Sequence, residues 1–469
     1  MTPRMHRSHR AAGALVGSAV GDALGAPFEF GPPGRFSARF PTPARGAHTE
    51  MCGGGALDRE PGEFTDDTQM ALLVATSLVE RGGLDEADLF ARFLRWADAD
   101  PPDIGSQTRA VLRSGLPWDT AAAEHFRRTG RAAGNGSLMR TTPAAVRFAR
   151  EGREVTTDAA RRISALTHGD PAAGEGCAVL HELVRVALDG GDPLAAVPSA
   201  LEAVAGEHRE RYAAVLAPDW APEPGTPDGA VWPTLGKAVW ALRHGTSFAE
   251  VLRLVIDLGG DTDTVAAVAG GLAGAVYGMG GIPMRWASVV HGRVPGHGER
   301  VWRLADLQQL AAALDGGAQQ SYDPGVIPRI GPQEVLPGIW AGNLDGARYS
   351  EQDFAVISLC RLGEPFSHAL HRMAYIADSD HNADLDVMLA DVLDDMAALR
   401  AEGHRLLVHC HGGASRTGLV LRAWLVREEG MSPQAATAYV AERWPHLGLW
   451  NDSFTAALSR LATRSRSSG

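Results

Sequence analysis

The chain has 469 residues, enough on length alone for about two to four domains. Its formal net charge is −12, with 21% charged and 45% hydrophobic residues. That balance excludes wholesale disorder and argues against general nucleic-acid or anionic-membrane binding through a broadly basic surface. One lysine, Lys237, stands among 44 basic residues. Arginine abundance is therefore a habit of composition, and only placement can mark a phosphate site.

Four cysteines, Cys52, Cys177, Cys360 and Cys410, form no Cys-x-x-Cys pair and no disulfide framework, so a reducing, cytoplasmic setting is expected. The first twenty residues have the outline of a secretory signal, with Arg4, Arg7 and Arg10 before a small apolar stretch. That stretch is rich in glycine and runs into Gly21-Asp22, which favours a retained helix.

Apolar residues recur at spacings of three and four over 71–80, 86–96, 159–166, 177–188, 235–242 and 248–258, separated by Gly, Pro and Asp clusters. Residues 265–280 are apolar but too short to span a bilayer, which predicts a closely packed core helix. The half from about 11 to 314 therefore reads as an all-α bundle. Two acidic clusters precede helical runs in it, Phe64-Thr65-Asp66-Asp67-Thr68 and Gly259-Gly260-Asp261-Thr262-Asp263-Thr264. Oxygen-only donors suit hard cations such as Mg2+ or Mn2+. Each cluster alone reads first as a helix N-cap. If both converge, their carboxylates would repel unless cations neutralised them, and together they could hold two ions.

Five ordered motifs sharpen this reading: the run from Gly13 to Phe30, the 64–70 cluster, Gly134-Asn135-Gly136-Ser137-Leu138-Met139-Arg140, Thr167-His168, and the 259–264 cluster. In that order they resemble the ADP-ribosylglycohydrolase family over residues 10–315. The resemblance implies an all-α fold, a two-Mg2+ centre and an ADP-ribosylated protein or small molecule as substrate. It makes Thr65, Asp66, Asp67, Asp261, Asp263 and Thr264 metal ligands, and Glu29 an acid beside the substrate ribose. Gly134, Asn135, Gly136, Ser137 and Met139 would line a diphosphate and ribose pocket, with His168 near the nucleotide. Glu29 or Asp66 would activate water or stabilise positive charge at the anomeric carbon. Asp22 is expected to hold backbone amides rather than a metal. His168 also reads as a hydrogen-bonded core histidine.

Residues 316–333 are rich in Gly, Pro and Gln and read as a linker. Beyond it the period changes. Short apolar runs at 355–359 and 405–408 suit buried strands, and 384–400, 418–428, 433–443 and 452–462 suit helices, giving an α/β sheet domain over 334–465. The Arg/Ser tail from Arg464 is expected to fray.

Leu406 to Gly418 reads as strand, loop and helix, with five residues between Cys410 and Arg416. That spacing lets the amides of His411, Gly412, Gly413 and Ala414 and of the helix start curl around a phosphoryl group. Arg416 can bind two of its oxygens. The same amides favour a thiolate nucleophile at Cys410, and Ser415 is expected to hydrogen-bond it. This loop is similar to that of the cysteine phosphatase superfamily, and Val335 to Asn343 resembles the opening strand of dual-specificity phosphatases. The resemblance implies a phosphorylated substrate and a general-acid Asp about thirty residues before the cysteine. Asp378 is favoured over Asp380. Cys360 reads as packing.

The expected protein is thus multidomain, a cytosolic bifunctional hydrolase without membrane attachment. A non-catalytic ADP-ribose-binding module joined to an active phosphatase is the alternative.

Overall fold

The computed structural model describes residues 5–224, 229–317, 328–362, 366–380, 382 and 384–467. Two hydrophobic cores divide the chain. One is drawn from residues 11–314, the other from residues 335–458 with Met284 added. Of the linker expected at 316–333, residues 318–327 lie outside the described residues.

The N-terminal core is helical, and four helices position the site: α1 (Arg7–Gly25), α2 (Asp66–Arg81), α3 (Pro171–Leu188) and α4 (Thr262–Tyr277). The apolar period begins at residue 71, yet α2 starts at Asp66. Thr65 caps it, and two acids in its first turn favour the helix dipole. The only strands among the described residues here are the two-residue segments His291–Gly292 and Trp302–Arg303.

Helices α1 and α4 lie antiparallel with their backbones in contact. A Cβ on Gly13 would stand 2.3 Å from the carbonyl oxygen of Gly274, one on Gly17 2.4 Å from that of Gly270, and one on Gly21 1.9 Å from that of Ala266. Glycine every fourth residue makes a side-chain-free stripe on α1, and Gly270 and Gly274 answer it on α4. This packing sets the C-terminal end of α1, with Asp22, against the N-terminal end of α4, with Asp261 to Thr264. The span Arg7–Phe28 is long and apolar enough to cross a membrane, and 94% of its most apolar 18-residue stretch is buried inside the fold.

The C-terminal domain holds five strands: β1 (Gln333–Leu336), β2 (Ile339–Gly342), β3 (Phe354–Ser358), β4 (Leu370–Met373) and β5 (Arg405–His409). Their order is β1-β2-β5-β3-β4, with β1 and β2 antiparallel and the other pairs parallel. The single strand expected at 335–343 is a hairpin instead, turned at Gly338 with φ of 75°. Helices α5 (Leu385–Ala401), α6 (Ser415–Glu428), α7 (Pro433–Arg443) and α8 (Asp452–Ser467) complete the domain. Helix α8 continues to Ser467 where fraying from Arg464 was expected, because Arg460 and Arg464 both bond Asp386 on α5. The central strand β5 is buried on both faces, as a parallel strand between neighbours should be.

The domains are bonded to each other. Arg45 pairs with Asp391 at 2.8 Å and Asp395 at 2.9 Å, and Arg372 donates to the Gly46 carbonyl at 2.9 Å.

Candidate active sites

Asp22, fully buried, organises the first site. Its carboxylate accepts from the backbone N–H of Thr65 (3.0 Å), the N–H of Thr68 (3.0 Å) and the Thr68 hydroxyl (2.6 Å). Helix α1 thereby caps α2 and fixes Thr65 to Asp67, which fits the expectation that Asp22 holds amides. Burial pushes the Asp22 carboxyl up to about 6.

The two acidic clusters meet. One carboxylate oxygen from each of Asp22, Asp67 and Asp263 lies within 4.8 Å of the others, and Glu29, Asp103 and Asp263 form a second such group. Asp263 is common to both. Burial, then neighbouring carboxylates, push Asp66, Asp67 and Asp263 well above the ordinary carboxylate range. Burial and then Asp103 and Asp261 carry Glu29 up to about 7. The capping alternative is answered differently at the two clusters. Thr65 caps α2 by accepting from the Asp67 N–H, whereas Asp261, at the N-cap of α4, makes no capping bond. Asp261 instead accepts from the Asn135 side chain at 2.7 Å, tying the 134–136 loop to the acids.

His168 lies directly under that loop. A Cβ on Gly134 or Gly136 would stand 3.3 Å from its Nε2, and Nδ1 is 2.8 Å from the Thr167 hydroxyl. Burial, then Arg140, hold His168 well below its usual range, so it is neutral. Ser137 is enclosed, taking a bond from Ser164 at 2.9 Å, and Met139 belongs to the hydrophobic core. These two side chains support the loop from within. The backbone at Gly134 and Gly136 is the part free of side chains.

The second site is the turn from β5 into α6. Cys410 is buried. The N–H groups of Gly412, Gly413 and Ala414 donate to no protein acceptor among the described residues. Gly413, at φ of 70°, keeps the loop curled, and the Trp444 indole donates to its carbonyl at 2.8 Å. Arg416 Nη1 reaches the carbonyls of Ile376 (3.3 Å) and Leu359 (3.5 Å), while its buried Nε has no partner. Asp378 is at the loop mouth, accepting from Ser415 (2.9 Å) and Asn451 (3.2 Å). No such bond holds Asp380 among the described residues.

Residues 3–324 match the family model "ADP-ribosylglycohydrolase", two thirds of the chain. The chain belongs to the ADP-ribosylglycohydrolase family. Residues 355–464 match the model "Dual specificity phosphatase, catalytic domain". The glycohydrolase portion is 32% identical over 313 residues to the ADP-ribosyl-[dinitrogen reductase] glycohydrolase of Rhodospirillum rubrum, covering 67% of this chain and 99% of that protein. It is also 32% identical to the ADP-ribosylarginine hydrolase Tri1 of Pseudomonas putida (strain GB-1), covering 66% of this chain and 79% of that protein. The C-terminal portion is 27% identical to dual specificity protein phosphatase 5 of Rattus norvegicus, covering 26% of this chain and 32% of that protein. The chain therefore joins hydrolase domains of two types.

In the glycohydrolase domain the donor set fits a hard cation. It is all oxygen, and Asp67 Oδ1 is buried without any hydrogen-bond partner, the condition a cation would relieve. Sequence reasoning missed Asp103 and its companion Arg59, whose guanidinium stands 3.5 Å from the Asp103 carboxylate. Asp103 follows two prolines in a loop with no cluster around it, so only assembly of the fold reveals it.

In the phosphatase domain the Ser415 hydroxyl, expected to bond the thiolate, donates to Asp378 instead. The buried hydroxyl left without a partner is Thr417, directly after Arg416. Asn451 was also missed. The expected packing role of Cys360 agrees with its burial, which pushes its thiol up to about 12.

Proposed function

We propose that the chain is a cytosolic bifunctional hydrolase. Its N-terminal domain cleaves the glycosidic bond between ADP-ribose and an acceptor, and its C-terminal domain hydrolyses a phosphomonoester. The observation that carries the first activity is the meeting of Asp67 with Asp263 around an unpartnered carboxylate oxygen. Thr65, Asp66, Asp67, Asp261, Asp263 and Thr264 would hold two Mg2+ ions. When bound, such a pair orients a ribose and neutralises the acids around it.

The remaining work falls to the protein's own groups. The amides of Gly134 and Gly136 receive the diphosphate. Glu29, Asp66 and Asp103 stabilise positive charge as the bond from the anomeric carbon to the acceptor breaks, and a carboxylate takes the proton of the attacking water and passes it to the departing acceptor. Among acceptors we favour the arginine guanidinium, for which the Pseudomonas putida relative is named.

In the second domain Cys410 Sγ attacks phosphorus while Asp378 gives its proton to the departing oxygen. Water then hydrolyses the phosphocysteine, returning a proton to Asp378. Arg416 and the loop amides hold the phosphoryl oxygens, and Thr417, whose buried hydroxyl has no partner, serves the leaving thiolate.

A panel of arginine- and serine-linked ADP-ribose, assayed before and after chelation, tests the first activity. Release should stop on chelation and return with Mg2+. Release that survives chelation overturns the metal reading, and calorimetric binding of ADP-ribose without turnover overturns the enzymatic one. Hydrolysis of an aryl phosphate should be indifferent to chelation.

A further inference from the structure

Phe30 carries two anomalies at once. Its side chain is 76% exposed, and its backbone lies in the left-handed region at φ of 53°. A bulky residue adopts that conformation only when its surroundings impose it. Here they do: the Phe30 N–H donates to the Gly260 carbonyl at 2.7 Å, and the Gly260 N–H reaches back to Gly31. Residue 30 is thereby pinned between Glu29 and Asp261. Glycine would sit there without strain, and a small polar side chain would suit the solvent. Among the described residues no ring or cation packs on the Phe30 face.

The setting defines what could cover it. Carboxylate oxygens of Glu29, Asp103 and Asp263 gather within 4.8 Å of one another beside it, and the Asn135 side chain joins Asp261 to the 134–136 loop. On the glycohydrolase reading the loop would take the diphosphate with the adenine beyond it, and the group next to Glu29 would be the one bonded to the anomeric carbon. An aromatic face above carboxylates attracts a planar cation.

We propose that Phe30 is a specificity-determining residue whose ring stacks on a planar cationic leaving group, the guanidinium of an ADP-ribosylated arginine. This rests on the glycohydrolase reading and adds to it the residue that reads the acceptor. The test compares arginine-linked with serine-linked ADP-ribose on the full chain with Mg2+. Phe30→Ala should raise KM for the arginine adduct about tenfold with kcat nearly unchanged, and leave KM for the serine adduct within about twofold. Phe30→Trp should retain the preference. Phe30→Gly should lose it without lowering the melting temperature, because the strained backbone is relieved. Equal losses on both adducts, or a weakened affinity for ADP-ribose itself, would assign the ring to the nucleotide and overturn the proposal. So would no change, or a fall in melting temperature accounting for the loss. If the unaltered protein turns over neither adduct, the glycohydrolase reading fails separately. Calorimetric affinity for the arginine adduct relative to ADP-ribose, in the unaltered protein and Phe30→Ala, then still decides the role of Phe30.

Discussion

The two sites of this chain solve opposite electrostatic problems by opposite means. The cradle at 410–416 offers positive potential within one turn of chain, from amides without a protein acceptor among the described residues and one guanidinium. The cleft collects carboxyl groups from residues 22, 29, 66, 67, 103, 261 and 263, which only the folded helices bring together. A contiguous anion site keeps its geometry through local backbone and a few ties, such as Trp444 to Gly413. An assembled cation site depends on how closely two helices approach. The first is sensitive to side-chain chemistry, the second also to packing far from the acids.

The largest expected effect asks whether the sites are separable. Cys410→Ser should lower phosphatase turnover by about a thousandfold or more, since the covalent route is lost. ADP-ribosyl release should be unaffected. Asp263→Asn should do the reverse, because Asp263 belongs to both acid groups. Assaying both variants on both substrates breaks the comparison if either substitution silences both activities.

The next effect sharpens the account of the cradle. Asp378→Asn should cost about a hundredfold or more on alkyl phosphates. On an aryl phosphate with an acidic leaving group the loss should be much smaller, since that oxygen departs without a proton. Equal losses on both esters, read from kcat, would remove Asp378 from the role of acid.

The cleft was legible in a different way from the cradle. Cys410, Arg416 and the glycines between them declare a phosphate loop by spacing alone, because neighbours in sequence are neighbours in space there. Even so, Ser415 bonds Asp378 where the sequence suggests the thiolate, since which hydroxyl meets Asp378 depends on the turn into α6. In the cleft, the two Asp/Thr clusters were visible but ambiguous with caps, and resemblance rather than pattern joined them. The glycines at 13, 17, 21 and 25 were also visible at helical spacing. Their partners at 270 and 274 were not, because nothing local says which helix a bare stripe will meet. Asp103 has no local signal beyond Pro101-Pro102, and Asn451 none at all.

Packing at that stripe supplies the third prediction. Gly21→Ala would place a methyl 1.9 Å from the Ala266 carbonyl oxygen, which only backbone movement can relieve. We expect a loss of about 3 kcal/mol, together with weakened Mg2+ affinity as α4 shifts. Gly83→Ala, where a Cβ meets nothing within 4 Å, is the matched control and should be near neutral. Denaturant unfolding with and without Mg2+ separates the two effects.

The smallest effect concerns what lies between the sites. Glu50 is buried. It accepts two bonds from Arg285, each 2.9 Å, and one from the Trp286 indole at 2.8 Å. Arg285 also faces Asp391 of the second domain at 3.6 Å. Burial raises the Glu50 carboxyl, but the Arg285 and Trp286 bonds outweigh it and the net shift is downward from 4.5. A carboxyl lowered on folding contributes stability that is complete above its ordinary value and is lost as pH falls through the lowered one. Glu50→Gln should therefore cost about 2 kcal/mol at neutral pH. The gap between the two proteins should close on acidification below pH 4.5. A gap that stays constant with pH would mean the carboxylate's charge does no work there, leaving Asp391 as the main partner of Arg285.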